Sequence, residues 1–280
     1  MMNKIMSGKE CSIHIREQIK DRIELIDKNL KLVVIRIGED EASKVYVNSK
    51  RKACEEVGID FIEIHFDENV TNEEVESKII ELNNDNSVTS ILMQLPIPKH
   101  LDKDYLINKI DYKKDVDGLT LDNIGRLNAN LDSIIPCTPY GIIDILKYYN
   151  VELEGKKVVL LGRSNLVGKP LIPLLLKENA TLTICHSKTN NLENYTKDAD
   201  ILISAVGKKR LITGEMIKEN SVIIDVGITR DTITKKIYGD VDFDSVYDKV
   251  SKITPVPGGV GVMTVTSLLN NVLKCYELQK

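Results

Sequence analysis

Two side chains at helical spacing, Tyr46 and Lys50, are the first candidates for chemistry in this sequence. The segment 41–57 has the pattern of a polar-faced helix ending before Gly58, so residues four apart share one of its faces. A lysine in partly desolvated surroundings has a lowered pKa and can transfer protons near neutral pH. Tyrosine at such spacing more often packs, and a helical lysine is usually solvated, so the pair alone does not establish a site.

Two further polar groups follow strand-like segments. Gln94 comes at the carboxyl end of the apolar run SILM, and the prolines after it stiffen the exit. Asp117 lies in the loop Lys114-Asp115-Val116-Asp117-Gly118, where a carboxylate can accept paired hydrogen bonds. A loop of this composition can equally be a plain turn.

The segment VVLLGRSNLVGKP (158–170) has the pattern of a strand, a glycine turn and the start of a helix. Gly162 permits a tight turn, and Gly168 lets backbone approach a ligand at a helix N-terminus. NAD sites usually carry an acidic residue at the end of the next strand, to hold the ribose hydroxyl. That position holds His186-Ser187-Lys188 instead. Arg163, Ser187 and Lys188 could surround a 2′-phosphate, which favours NADP, although both cations could also be ordinary solvated surface.

Alternating helix and strand patterns position these residues. The first half contains an opening helix, strands near 30–38, 59–66 and 90–98, the helix 41–57, and a helix opened by the capping-box pair Thr71 and Glu74. After a turn-rich stretch, 117–139, further strands are predicted at 156–162, 180–186, 199–207 and 221–227, and a last helix at about 263–278. This alternation predicts parallel sheets in two α/β domains around one crevice.

The composition excludes several classes of protein. With 42% hydrophobic and 29% charged residues in 280, the chain can build a full core, and disorder is not expected. A net charge of −4 argues against a nucleic-acid partner. The five cysteines are dispersed without a CxxC pair, which favours reduced thiols and no metal site. No targeting segment or long apolar stretch is evident, so a cytoplasmic protein without a membrane partner is expected.

Nine segments in this order resemble one family, the bifunctional methylenetetrahydrofolate dehydrogenase/cyclohydrolases, over essentially the whole chain. The segments are YVNSK (46–50), QLPIP (94–98), KDVDG (114–118), CTPYG (137–141), GRSNLVGKP (162–170), ISAVGK (203–208), DVG (225–227), GDVDF (239–243) and TPVPGGVGVMT (254–264).

The resemblance implies oxidation of 5,10-methylenetetrahydrofolate by NADP⁺, followed by hydrolysis of the methenyl product to 10-formyltetrahydrofolate. It implies that Tyr46 stacks on the aminobenzoate ring of the substrate, that Lys50 is the key catalytic group supported by Gln94, and that Asp117 holds the pterin. Loss of hydride from the substrate depends on the alignment of cofactor and substrate more than on a base. Hydration of the methenyl product needs a group that transfers a proton.

The resemblance also implies the remaining site residues. Pro257, Gly258 and Gly259 are expected to contact substrate. The expected cofactor-binding residues are Gly162, Arg163, Ser164, Val167, Gly168, Ser187 and Ile228. We expect two domains: a substrate domain of 1–136 plus 262–280, and an NADP-binding Rossmann-like domain of 137–261. The resemblance also implies a homodimer and a role in purine biosynthesis.

Two positions depart from the family pattern, and three rival interpretations remain. Val262 stands where proline is usual, and Leu119 where phenylalanine is common; neither is one of the four central site residues. The rivals are a relative that has lost cyclohydrolase activity, a nucleotide-sensing regulator without turnover, and an unrelated NADP enzyme of the shikimate dehydrogenase type. Retention of Lys50 and Gln94 opposes the first, and the substrate-side motifs oppose the second.

Overall fold

The protein consists of two compact units. The computed structural model describes residues 4–232 and 234–280. One unit comprises the chain up to Ile13 with Thr138–Thr264, and the other comprises His14–Cys137 with Val265–Lys280. These bounds differ from the predicted domains mainly at the N-terminal segment. That segment groups with the later unit because Ile5 pairs with Ile253, and Gly8 N donates to Gly258 O at 2.9 Å.

A three-stranded parallel sheet forms the centre of the His14–Cys137 unit, which we call the substrate unit. The sheet has the order β2-β1-β3. The chain up to residue 128 forms α1 (Gly8–Glu24), β1 (Lys31–Ile37), α2 (Glu41–Val57), β2 (Asp60–Phe66), α3 (Asn72–Asn84), β3 (Ser90–Met93), α4 (Lys103–Ile107) and α5 (Leu121–Asn128). The predicted alternation and parallel pairing are confirmed.

Alternate residues of β1 face two apolar layers. Leu32 and Val34 pack with α1, α2 and the C-terminal helix, whereas Val33 and Ile35 pack with α3 and α4. A strand buried on both faces is a continuous apolar run, as the sequence indicated.

The second unit, which we call the nucleotide unit, contains a five-stranded parallel sheet of order β10-β7-β6-β4-β5. The rest of the chain forms α6 (Cys137–Tyr148), β4 (Lys157–Leu161), α7 (Gly168–Lys177), β5 (Thr181–Cys185), α8 (Glu193–Thr196), β6 (Ile201–Ser204), a 3₁₀ turn (Gly214–Met216), β7 (Val222–Asp225), the hairpin strands β8 (Thr229–Arg230) and β9 (Ile237–Tyr238), α9 (Phe243–Val246), β10 (Lys252–Ile253) and α10 (Val260–Leu278). Strand order reverses between β4 and β6, which is where doubly wound sheets bind ligands.

Three sequence predictions differ from the structure. The strand predicted over 90–98 ends at Met93, ahead of Pro96 and Pro98, which have no N–H for the ladder. The stretch 117–139 is not turn throughout: it holds α5, capped by Thr120 Oγ1, and the start of α6. The last helix begins at Val260 rather than near 263, and the N–H of Val262 is used there, donating to Gly259 O at 3.3 Å.

Candidate active site

Lys50 and Gln94 form a direct hydrogen bond in the substrate unit. Lys50 Nζ donates to Gln94 Oε1 at 2.9 Å, and Gln94 Nε2 donates to Leu95 O at 2.7 Å. The second bond fixes the amide so that its oxygen faces the ammonium group. Gln94 is only 7% exposed, so this pair is held in partly dry surroundings.

The position of the pair follows from the sheet order. Gln94 directly follows β3, and Lys50 lies on α2, which follows β1. These strands are neighbours, so both groups lie at the carboxyl edge of the sheet. Helix α2 is fixed at both ends, by Asp40 accepting from Ser43 N and by Gly58 in the left-handed conformation at φ 83°.

Tyr46 lies one turn before Lys50 on α2. Its side chain is 60% exposed, whereas the adjacent Val47 is buried in the core. The structure therefore gives Tyr46 no packing role that would account for it, and leaves its ring accessible to a ligand.

Asp117 contacts a buried thiol. Cys137 Sγ donates to Asp117 Oδ1 at 3.5 Å. Burial and the neighbouring Asp117 raise the pKa of Cys137 well above its usual value, and the positive charge of Lys50 opposes this. The thiol is therefore a neutral donor to the carboxylate. The charges of Asp117 and Lys50 thus have opposite effects on the pKa of the Cys137 thiol.

Other residues of the segment 114–118 build the loop rather than the site. Lys114 Nζ donates to the carbonyls of Leu82, Asn83 and Asp85, at the C-terminal end of α3. The Asp115 carboxylate is buried and accepts from Thr120 N and Asn123 Nδ2. Burial raises the pKa of Asp115 despite these bonds. The loop is thus anchored on both sides of Val116, and Asp117 remains half-buried.

Asn271 on α10 is a site neighbour that sequence reasoning missed. Its Nδ2 donates to Val116 O and Ile135 O, both at 2.8 Å. One buried amide thereby ties together the two segments that carry Asp117 and Cys137. No sequence signal separates Asn271 from the polar Asn270 beside it.

A cavity of about 410 Å³ lies at the strand reversal of the nucleotide unit. Its lining includes four of the predicted cofactor residues, Gly162, Arg163, Ser164 and Ser187. The others are Leu161, Cys185, His186, Thr189, Leu192, Ala205, Val206, Lys208 and Leu211. None of these residues is acidic, while Arg163 and Lys208 are cationic. Lys208 was not predicted, although it ends the segment ISAVGK.

The two glycines of this loop are required by close backbone contacts. A Cβ on Gly162 would lie 2.5 Å from Ala205 O, and one on Gly168 would lie 2.4 Å from Gly162 O. Ser164 Oγ accepts from Val167 N at 3.2 Å and from Gly168 N at 3.5 Å. Val167 and Gly168 therefore shape the start of α7 but do not line the cavity, and Lys188 is exposed outside it.

A smaller cavity of about 200 Å³ in the nucleotide unit gathers the remaining predicted residues. Ile228, predicted to bind cofactor, and Pro257, Gly258 and Gly259, predicted to bind substrate, all line it. Val262 lines it as well.

Other features bear on chemistry and environment. All five cysteines are free thiols. Over residues 4–232 and 234–280, no cluster of three or more His, Cys, Asp or Glu could hold a metal ion. Within the same residues, no helix combines the length and apolarity needed to cross a membrane.

Two family models match the chain. The model of the tetrahydrofolate dehydrogenase/cyclohydrolase catalytic domain matches residues 6–117, and that of the NAD(P)-binding domain matches 136–280. A bifunctional protein FolD of Mycoplasma mycoides is 49% identical over 98% of this chain and 96% of its own length.

Solved structures show the same similarity. The Campylobacter jejuni bifunctional enzyme FolD has a TM-score of 0.95 and 44% identity, covering 99% of both chains. The Trypanosoma brucei dehydrogenase-cyclohydrolase, solved with NADP cofactor and an inhibitor, has a TM-score of 0.90 and 35% identity, covering 98% of this chain and 97% of its own.

Proposed function

Because the chain belongs to the tetrahydrofolate dehydrogenase/cyclohydrolase family, we propose that it oxidises 5,10-methylenetetrahydrofolate with NADP⁺ and then hydrolyses the methenyl product. The final product is 10-formyltetrahydrofolate. The observation that carries this proposal is the Lys50–Gln94 hydrogen bond at the carboxyl edge of the substrate sheet. Hydride transfer requires that the cofactor and the substrate are aligned, whereas hydrolysis of the methenyl group requires a side chain that transfers protons.

Lys50 is proposed to handle protons during hydration of the methenyl cation. In its neutral form, an amine can take a proton from the attacking water. Gln94 adds no charge, and its fixed amide oxygen accepts from Lys50 and so holds the lysine in one place. Tyr46, on the same face of α2, is proposed to stack on the aminobenzoate ring through its exposed side chain.

Asp117 is proposed to bind the pterin. Its carboxylate can accept two hydrogen bonds from an amino-pyrimidinone edge, which presents adjacent N–H donors. Among the described residues, the Cys137 thiol donates to Asp117 Oδ1 alone, and this bond is weak at 3.5 Å. Pro257, Gly258 and Gly259 are proposed to complete the substrate contacts from the smaller cavity.

The larger cavity of the nucleotide unit fits NADP. Its glycine turn packs closely on the backbone at Ala205, where a side chain would collide, and its lining has two cations and no acid. A carboxylate would repel a 2′-phosphate, whereas Arg163 can bind it through charge-assisted bonds. Ser187 supplies a further donor, and Ile228 lines the smaller cavity. When bound, the cofactor accepts the hydride.

The proposal is tested by two assays on the same preparation. Reduced cofactor and methenyl absorbance are followed separately with methylenetetrahydrofolate and either NADP⁺ or NAD⁺, and hydrolysis is followed with supplied methenyltetrahydrofolate. We expect both activities and a higher kcat/KM with NADP⁺. Arg163→Ala should reduce this preference by about 1–3 kcal/mol, the scale of a lost bond to a charged group.

The same assays separate the rival functions. Oxidation without hydrolysis would indicate a dehydrogenase alone, and nucleotide binding without turnover would indicate a regulator. Turnover of a hydroxy-acid ring in place of folate would indicate a shikimate-type enzyme. An equal or better kcat/KM with NAD⁺ would refute the cofactor assignment.

We also propose that the enzyme is a cytoplasmic homodimer formed through the nucleotide unit, whose product feeds purine biosynthesis. Support comes from β5, the outer strand of the five-stranded sheet, where Ile184 is 39% exposed, and from Leu176 on α7, which is 55% exposed. Exposed apolar side chains beside a strand edge that has no partner among residues 4–232 and 234–280 suit a two-fold contact. Light scattering should give about twice 31.5 kDa; a stable monomer at micromolar concentration would refute the dimer.

A further inference from the structure

Two buried aspartates lie in segments to which the proposed mechanism gives no role, DVG (225–227) and GDVDF (239–243). Asp225 ends β7 and is 3% exposed. Its Oδ1 accepts from Gly227 N at 3.0 Å and from Asp240 N at 2.9 Å, and its Oδ2 accepts from Val241 N at 2.9 Å. Asp225 therefore fixes the backbone on which the second aspartate is carried.

Asp240 is fully buried and accepts three bonds in turn. Its Oδ1 accepts from Lys208 N at 2.7 Å. Its Oδ2 accepts from Val206 N at 2.8 Å and from Ser204 Oγ at 2.9 Å. The two carboxylates thus form a relay from the end of β7 to the loop that follows β6.

The glycines of the two segments make this relay possible. A Cβ on Gly239 would lie 1.8 Å from Asp225 Oδ2, and a Cβ on Gly227 would lie 2.2 Å from Asp240 Oδ1. Each segment therefore provides the space that the aspartate of the other segment occupies. This reciprocal fit accounts for Asp225 and Gly227 in the first segment and for Gly239 and Asp240 in the second.

The loop held by Asp240 borders the nucleotide cavity. Val206 and Lys208 both line that cavity, whereas Ser204 and Asp240 do not. Both carboxylate oxygens of Asp240 accept hydrogen bonds from the loop, so this carboxylate stabilises the loop and does not itself face a ligand. Because the N–H groups of Val206 and Lys208 are held by these bonds, the backbone of the loop and the starting point of the Lys208 side chain are held in position at the edge of the cavity.

We propose that Asp240 is a positioning residue for the dinucleotide, acting through the backbone of Val206 and Lys208, and that Asp225 holds Asp240 in place. This inference rests on the proposed use of the cavity by NADP. It predicts that a change at Asp240 weakens nucleotide binding selectively, because neither Asp240 nor any residue that donates to it lies in the substrate unit or lines the smaller cavity proposed to contact substrate.

The decisive variant is Asp240→Asn, with Asp244→Asn as matched control. An asparagine must turn its NH₂ towards Lys208 N–H or Val206 N–H, so one buried donor loses its acceptor. We expect the NADPH dissociation constant, measured by fluorescence titration, and the KM for NADP⁺ to rise roughly tenfold or more. Hydrolysis of supplied methenyltetrahydrofolate without nucleotide should stay at the wild-type rate. Asp244, whose side chain is 85% exposed, should change neither quantity on substitution.

Ser204→Ala gives a milder test if Asp240→Asn does not fold. It removes one bond to Asp240 without altering the cavity lining, so nucleotide affinity should fall roughly 2- to 10-fold. The inference is overturned if NADPH affinity is unchanged in a folded Asp240→Asn or in Ser204→Ala. It is also overturned if Ser204→Ala reduces nucleotide binding and methenyltetrahydrofolate hydrolysis equally. A wild-type protein that neither binds NADPH nor oxidises methylenetetrahydrofolate would instead refute the proposed function.

Discussion

Lys50 is the residue on which the two proposed reactions should separate. Lys50→Met keeps most of the apolar stem, so α2 and its packing should survive. Hydration should fall by about 10²–10⁴-fold, the usual worth of acid–base help, because the amine is gone. A measurable share of dehydrogenase activity should remain, and methenyltetrahydrofolate should accumulate in solution.

The control for this substitution is Lys52→Met, on an exposed position of the same helix. It should leave both rates unchanged. Lys50→Arg should also fail in hydration, since a guanidinium does not deprotonate near neutral pH. Hydrolysis of methenyltetrahydrofolate by Lys50→Met at the wild-type rate would move the proton-handling role to another group.

The sequence patterns placed the candidate residues and the family resemblance implied their roles, but neither predicted the contacts that these residues make. Lys50, Gln94 and Asp117 could be located because they stand in or beside recognisable helices and strand ends. The roles of Lys114 and Asp240 could not, because their partners are mostly backbone atoms about 30 residues away along the chain. Single-sequence patterns carry periodicity and turn chemistry, and neither specifies which distant carbonyl or N–H a buried charge will meet.

At the scale of elements, the alternating pattern predicted the parallel sheets, whereas the placement of the site residues depends on the order of the strands within the sheet. Pairing of β1 with both β2 and β3 brings the end of β3 beside the helix that follows β1. The short strands β8, β9 and β10 were missed because two residues each cannot show a period. Helix α5 was missed because its eight residues lie among turn-forming ones.

Helix α10 should influence folate binding through Asn271. Asn271→Leu would leave the Val116 and Ile135 carbonyls buried without their donor, at about 1–3 kcal/mol for each unpaired group. Both segments around Asp117 and Cys137 would then loosen. We expect the KM for folate to rise in both reactions, while the KM for NADP⁺ stays unchanged, and urea unfolding should show lower stability.

Asn270→Leu supplies the comparison, because it makes the same change one position away on α10, where the side chain is half-buried and contacts Arg22. If Asn271→Leu and Asn270→Leu have the same KM for folate, then α10 does not order the loop that carries Asp117.

At the scale of the whole molecule, the stability of the nucleotide unit should depend on one buried carboxyl group. Asp144 lies on α6 between buried isoleucines, and its Oδ2 has no hydrogen-bond partner among the described residues. Burial raises the pKa of Asp144 from 3.8 to about 7, and Lys147 only partly opposes this. Cys11 is its titratable neighbour, and burial together with Asp144 raises the pKa of that thiol to about 12.

A carboxyl group whose folded pKa is raised favours folding in its protonated form. Its stabilising contribution is complete below the unfolded pKa and is lost as the pH rises through the folded pKa. Between pH 5 and pH 8, the wild type should therefore lose unfolding free energy relative to Asp144→Asn, which cannot ionise. The difference should reach about 1–3 kcal/mol at pH 8, within the limit set by 1.36 kcal/mol per pKa unit. Urea unfolding at several pH values measures it, with Asp248→Asn as an exposed control in the same unit. A constant difference between wild type and Asp144→Asn across this range would show that Asp144 is already ionised in the folded protein at pH 5.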